Sequence, residues 1–166
     1  MTMASDETYT KILKEMQARV RSAEKWDRRF MDVASLVALW SKDSTRVGAV
    51  LVGPENEIRL TSFNGPPKGV KDTPERFERP AKYLYASHAE ANLVAFAARE
   101  GIRTKDCTAY VTHAPCAACA RTLIQAGVKR IVYGAGKFTC SATWTDETAA
   151  ADVMCREAGV SIEALP

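Results

Sequence analysis

The spacing of apolar residues along the chain divides it into ten elements. Ile12, Leu13, Met16 and Val20 recur at helical intervals and predict a helix from Thr8 to Val20. Phe30, Val33, Ala34, Val37 and Ala38 do the same between Trp26 and Trp40, with charged residues at the start of that segment, and predict a second helix. The β-branched run Val47 to Val52 ends at Gly53-Pro54, and Ile58 to Phe63 resumes after a turn holding Glu55 and Asn56, the pattern of a hairpin. The Ala-rich stretch His88 to Arg99 reads as a helix closed by Gly101, and Cys107 to Thr112 as a buried strand. A helix from Cys116 to Ala126 stops at Gly127 and leads to a strand from Arg130 to Tyr133. After a loop through Ser141 come a helix from Asp146 to Glu157 and a last strand from Val160 to Glu163.

A hairpin requires antiparallel neighbours, whereas strands joined through helices require parallel ones, so the expected sheet is mixed, five-stranded and covered by helices on both faces. At 166 residues the chain fits one α/β domain, read as an accessory helix over 1–24 and a core over 25–166. Between the hairpin and the Ala-rich helix, Asn64 to Lys82 carries Pro66, Pro67, Pro74 and Pro80 among many charges. Such a stretch suits an irregular loop, and irregular loops of this length inside compact domains are usually functional.

Composition narrows the function classes. The chain is 46% hydrophobic and 26% charged, which excludes a disordered or fibrous protein. A net charge of +3 is too small for a dedicated nucleic-acid binder and sufficient for a small anion. Met1 to Lys14 mixes Asp6, Glu7 and Lys11 without an apolar signal core, and no stretch reaches the length of a membrane span, so a cytoplasmic protein is expected. Five cysteines, with Cys116 and Cys119 in a C-x-x-C, favour metal or redox chemistry over structural disulfides. Cys107, Cys140 and Cys155 lack such spacing and read as ordinary thiols.

The chemistry concentrates in His88-Ala89-Glu90 and, after 24 intervening residues (91 to 114), Pro115-Cys116-Ala117-Ala118-Cys119. Both pieces open predicted helices, whose unpaired N–H groups and positive dipole ends favour thiolates and anions. Two sulfurs three positions apart can close on one ion while His88 supplies a third ligand, leaving the fourth tetrahedral position for water, as in a catalytic Zn2+ site. Glu90 is placed to shuttle protons. His88-x-Glu90 with Pro115-Cys116-x-x-Cys119 is a known zinc-deaminase signature. A structural site with His113 or a further cysteine as fourth ligand remains open on spacing alone, although it gives no use to Glu90 or Pro115.

The chain resembles the cytidine and deoxycytidylate deaminase superfamily from about Trp26 to Ile162. Besides the zinc motifs, the matching pieces are Trp26-Asp27 with Phe30-Met31, Ser41-Lys42-Asp43 before Val47-Gly48-Ala49, Phe63-Asn64-Gly65 with Pro67 and Gly69, Lys82-Tyr83, Asn92, and Tyr110-Val111-Thr112. The resemblance implies a three-layer α/β/α sandwich and hydrolytic loss of the 4-amino group of a cytosine nucleotide, dCMP above all, giving dUMP and ammonia. It implies that Asn64 meets the sugar, the Ala89 N–H the base carbonyl, and Phe138 and Pro115 the ring. Phosphate is expected to be met by one or two of Lys68, Lys71, Arg76, Arg79 and Lys82, with Lys68 the leading candidate.

By the same resemblance the protein is expected to form a homo-oligomer, often a hexamer in similar enzymes. Gly65 to Ser87 contains no Cys or His for a second zinc. Two stretches depart from the family pattern: Lys42 to Thr45 is one residue short, and Lys137 to Cys140 differs from the usual continuation. The competing readings are a deaminase for a modified cytosine or aminopurine nucleotide, one for a base in tRNA or single-stranded nucleic acid, and a non-catalytic zinc module. Asp72, Glu75 and Glu78 interrupt the cationic track that a nucleic-acid substrate needs.

Overall fold

The computed structural model describes residues 3–135 and 142–166. Helix α1 (Met3–Ala38) is followed by strands β1 (Gly48–Val52) and β2 (Ile58–Phe63), a 3-10 turn (Pro74–Phe77) and a one-turn helix α2 (Lys82–Tyr85). Then come α3 (Ala89–Glu100), β3 (Thr108–Val111), α4 (Ala117–Gln125), β4 (Arg130–Gly134), α5 (Ala142–Glu157) and β5 (Ser161–Leu165). The five strands form one sheet in the order β2-β1-β3-β4-β5. β1 pairs antiparallel with both β2 and β3, while β3, β4 and β5 run parallel, so the sheet is mixed as expected.

Strand periodicity sorts the core into two layers. Val50, Val52, Tyr110 and Val132 face Phe30 and Ala34 of α1. Their sequence neighbours Ala49, Leu51, Ala109, Val111 and Ile131 pack instead with Leu93 of α3, Ala120 and Leu123 of α4, and Ala151 and Cys155 of α5. All five residues of β1 are buried, as a central strand covered on both faces requires. The result is the three-layer α/β/α sandwich. α1 lies so close on β1 that a Cβ on Gly48 would stand 2.0 Å from the Ala34 carbonyl oxygen, and glycine alone permits that approach.

Three expectations need correction. The two N-terminal helices are one, because residues 21–25, Arg-Ser-Ala-Glu-Lys, contain no breaker and the helix passes through the boundary drawn at 24/25. The proline-rich segment holds a helical turn at Pro74–Phe77, where Pro74 suits a first-turn position, and ends in α2. Finally, α5 begins four residues before Asp146, and β5 extends to Leu165, which pairs with Gly134. Asn56, in the left-handed region at φ 64°, closes the β1–β2 turn.

Candidate metal and active site

The topology brings the two motifs to one end of the sheet. β2 and β3 both run opposite to β1, so their carboxyl ends lie on the same side, and the helices that follow them start there. His88 is the N-cap residue of α3 and Cys116 that of α4, and neither side chain caps its own helix. Both point into the space between the two helices.

There the Cys119 and Cys116 sulfurs lie 3.4 and 3.6 Å from His88 Nδ1. All three donor atoms fall within 4.8 Å of one another, and among the described residues no other group of three or more His, Cys, Asp or Glu side chains converges in this way. A tetrahedral zinc with Zn–S of about 2.3 Å and Zn–N of about 2.0 Å separates its sulfur and nitrogen ligands by about 3.5 Å. The observed spacing fits that ion. His113 is not in the group, and its Nδ1 lies 3.0 Å from the Thr112 hydroxyl. The side chains at hand thus provide three ligands, which is the donor set of an open site.

The electrostatics are those of a site built for a cation. The Cys116 thiol is pulled well below its usual range by hydrogen bonding from Cys119, reinforced by His88. Cys119 is pushed up, because it is the donor to Cys116 and is buried. The bond to Cys116 also raises His88. Two sulfurs sharing a proton beside an imidazole become two thiolates and a neutral histidine when a dication replaces those protons. Glu90, 4% exposed on the first turn of α3, has its carboxyl pushed up by burial and contacts the Cys119 thiol. A carboxyl held toward its neutral form beside a metal site is suited to carry protons.

The remaining expected residues divide. Pro115 is fully buried and fixes the approach to Cys116. Ala89 is fully buried, its carbonyl accepts a hydrogen bond from the Ser62 hydroxyl at 2.7 Å, and its N–H is one of the first-turn amides without an intrahelical acceptor. Asn64 is buried and braces the loop before β1: its Oδ1 accepts from the Val47 N–H at 2.8 Å and its Nδ2 donates to the Thr45 carbonyl at 2.9 Å. One amide hydrogen and one lone pair remain after those two bonds. Lys68, Lys71 and Arg79 are exposed, whereas Arg76 donates to the Lys71 carbonyl. Lys82 differs from what its place in a charged loop suggested, being buried with its ammonium 2.7 Å from Asp43 Oδ1. Phe138 lies outside the described residues.

Sequence reasoning gave no role to Ser62 or Asp43. No local signal marks the first, because only the fold brings the Ser62 hydroxyl to the Ala89 carbonyl, 27 residues away. Asp43 stood in a motif quoted only for its resemblance, yet its carboxylate also accepts the Thr45 N–H at 2.8 Å and so shapes the loop that Asn64 braces.

The profile of the cytidine and deoxycytidylate deaminase zinc-binding region matches residues 24–135. The chain belongs to this family. It is 39% identical over 143 residues to an uncharacterized deaminase of Aliivibrio fischeri from the luxG 3′ region, covering 86% of this chain and 95% of that one. It is 38% identical over 143 residues to the deoxycytidylate deaminase of Homo sapiens, covering 82% of this chain and 77% of the human one. Among solved structures, the dCMP deaminase of the cyanophage S-TIM5 in complex with dCMP and dUMP superposes with a TM-score of 0.66 at 25% identity, over 82% of this chain and 94% of that one. The zinc-binding character of the family agrees with the His/Cys/Cys spacing, and its fold with the five-stranded mixed sheet.

Proposed function

We propose that this protein is a zinc-dependent deoxycytidylate deaminase that converts dCMP and water to dUMP and ammonia. The observation that carries the proposal is three ligand atoms at single-zinc spacing with a buried carboxyl next to them, in a chain whose relatives include deoxycytidylate deaminases.

His88, Cys116 and Cys119 hold the ion, which supplies Lewis acidity and lowers the pKa of water by several units, to about 7 in favourable sites. Glu90 moves the protons: it takes one from the attacking water and gives it to the ring nitrogen N3, then takes the remaining proton of the added hydroxyl and delivers it to the departing 4-amino group, which leaves as ammonia. The Ala89 N–H, on the positive end of α3, holds the base carbonyl, and Pro115 packs on the ring. Asn64 offers its spare amide hydrogen to the sugar. Lys68 meets the phosphate, supported by its exposure on the loop that leaves Asn64.

The chain acts as one domain, with the part of α1 before residue 25 an accessory segment and 25–166 the deaminase core. The protein works as a homo-oligomer, up to a hexamer, in the cytoplasm, where Cys107 and Cys155 stay reduced. No helix among the described residues is long and apolar enough to cross a membrane.

The test is ammonia release by the zinc-loaded protein from dCMP, dCTP, deoxycytidine, aminopurine nucleotides and a single-stranded oligonucleotide. The proposal expects dCMP to give the highest kcat/KM. Preference for an aminopurine nucleotide or the oligonucleotide overturns the substrate, and no deamination of any of them overturns the activity.

A further inference from the structure

The N-cap of α4 is occupied by Cys116, whose sulfur is turned toward His88, and the side chain of an N-cap residue reaches the second or third amide of its helix rather than the first. The amide immediately after it, Ala117 N–H, instead donates at 2.9 Å to Oε2 of Glu147, which reaches across from α5. α5 is anchored independently of the site by Ala151 and Cys155, both fully buried in the core beside Leu123 of α4. The carboxylate therefore ties the peptide that carries Cys116 to a fixed helix.

From this geometry we infer that Glu147 is a positioning residue for the metal site: it satisfies the first amide of α4 and thereby holds the Cys116–Ala117 peptide where the Cys116 and Cys119 sulfurs can close on the ion. The inference rests on His88, Cys116 and Cys119 being the zinc ligands. A charge-assisted bond to a backbone N–H is among the stronger single hydrogen bonds, and an acidic group at a helix start is favoured by the helix dipole. The same negative charge, one peptide from a ligand, also favours a bound dication. Without it the first turn of α4 can fray, and the two sulfurs, three residues apart on that turn, lose their fixed separation. Partners that orient metal ligands from behind are typically worth 10–100-fold in metal affinity.

The test is zinc affinity by competition with a chromophoric chelator, measured on the full-length protein and on Glu147→Ala and Glu147→Gln, alongside thermal unfolding of the zinc-free proteins. Glu147→Ala is expected to weaken zinc binding by about 10–100-fold. Glu147→Gln keeps an acceptor oxygen without the charge and is expected to fall between it and the parent. A merely structural cap would lower the unfolding temperature of the zinc-free protein and leave zinc affinity within about twofold of the parent, and that result overturns the inference. Should Glu147→Ala not fold, Glu147→Gln decides alone, and parent-like affinity in it overturns the inference. If the parent itself binds no zinc, it is the ligand assignment that fails.

Discussion

Replacing Lys82 by Met removes one half of an ion pair buried between the start of α2 and the loop before β1. The side chains of Lys82 and Asp43 are 9% and 1% exposed, with Nζ and Oδ1 2.7 Å apart. Methionine keeps the length and apolar stem of lysine, so the cost comes from leaving the Asp43 carboxylate buried with only the Thr45 N–H and the Ser44 hydroxyl. Breaking a buried pair in this way costs about 3–5 kcal/mol, and at roughly 2–4 °C per kcal/mol for a domain of this size the melting temperature should fall by roughly 6–20 °C. The discriminating step is the cycle with Asp43→Asn. In that background no carboxylate is stranded, so Lys82→Met should cost about 1 kcal/mol, giving a coupling of roughly 2–4 kcal/mol. Urea unfolding at fixed free zinc, followed by far-ultraviolet circular dichroism, measures all four proteins. A loss below about 1 kcal/mol for Lys82→Met alone, or an equal loss in both backgrounds, would refute the reasoning.

Three further outcomes are expected. Gly48→Ala drives a methyl into the Ala34 carbonyl and should destabilise the protein by about 1–3 kcal/mol or more, read by the same unfolding assay. Burial alone would push the Asp27 carboxyl up, but its bonds from Arg130 at 2.8 Å and from the Tyr110 hydroxyl at 2.7 Å outweigh that and hold it below the usual range. Its stabilisation is thus complete above about pH 4, the ordinary aspartate value, and drains away as pH falls further, so Asp27→Asn should flatten the acid limb of a stability-against-pH curve. Because His88 and Cys119 are raised, zinc must displace protons from them; affinity should therefore fall from pH 8 to pH 6, and calorimetry in buffers of different ionisation enthalpy should detect proton release.

Much of this architecture is written in short-range pattern. The β-branched run Val47 to Val52 marked the strand, and Gly101 and Gly127 marked where α3 and α4 give way to turns, each with positive φ. The metal-ligand cluster was legible because the Cys-x-x-Cys spacing and the helix starts are local facts, needing only the topology to bring His88 across. Lys82 was not legible: a lysine in a charged, proline-rich loop looks solvated, and only the fold brings it to Asp43, 39 residues away. Glu147 was hidden for the same reason, being an ordinary helix-surface residue until α5 packs on α4. The break expected between Val20 and Trp26 misread a gap in apolar spacing as a gap in the helix, which continues through Arg21 to Lys25, a stretch without a breaker.

The central claim is that one zinc ion on His88, Cys116 and Cys119 works with Glu90 as proton carrier. It is tested most directly by measuring zinc content and dCMP turnover together in Glu90→Gln, whose amide matches the carboxyl in shape but cannot shuttle protons. The account predicts one zinc per chain, as in the parent protein, with kcat lowered by about 100–10,000-fold. Turnover close to that of the parent, with zinc retained, would contradict it.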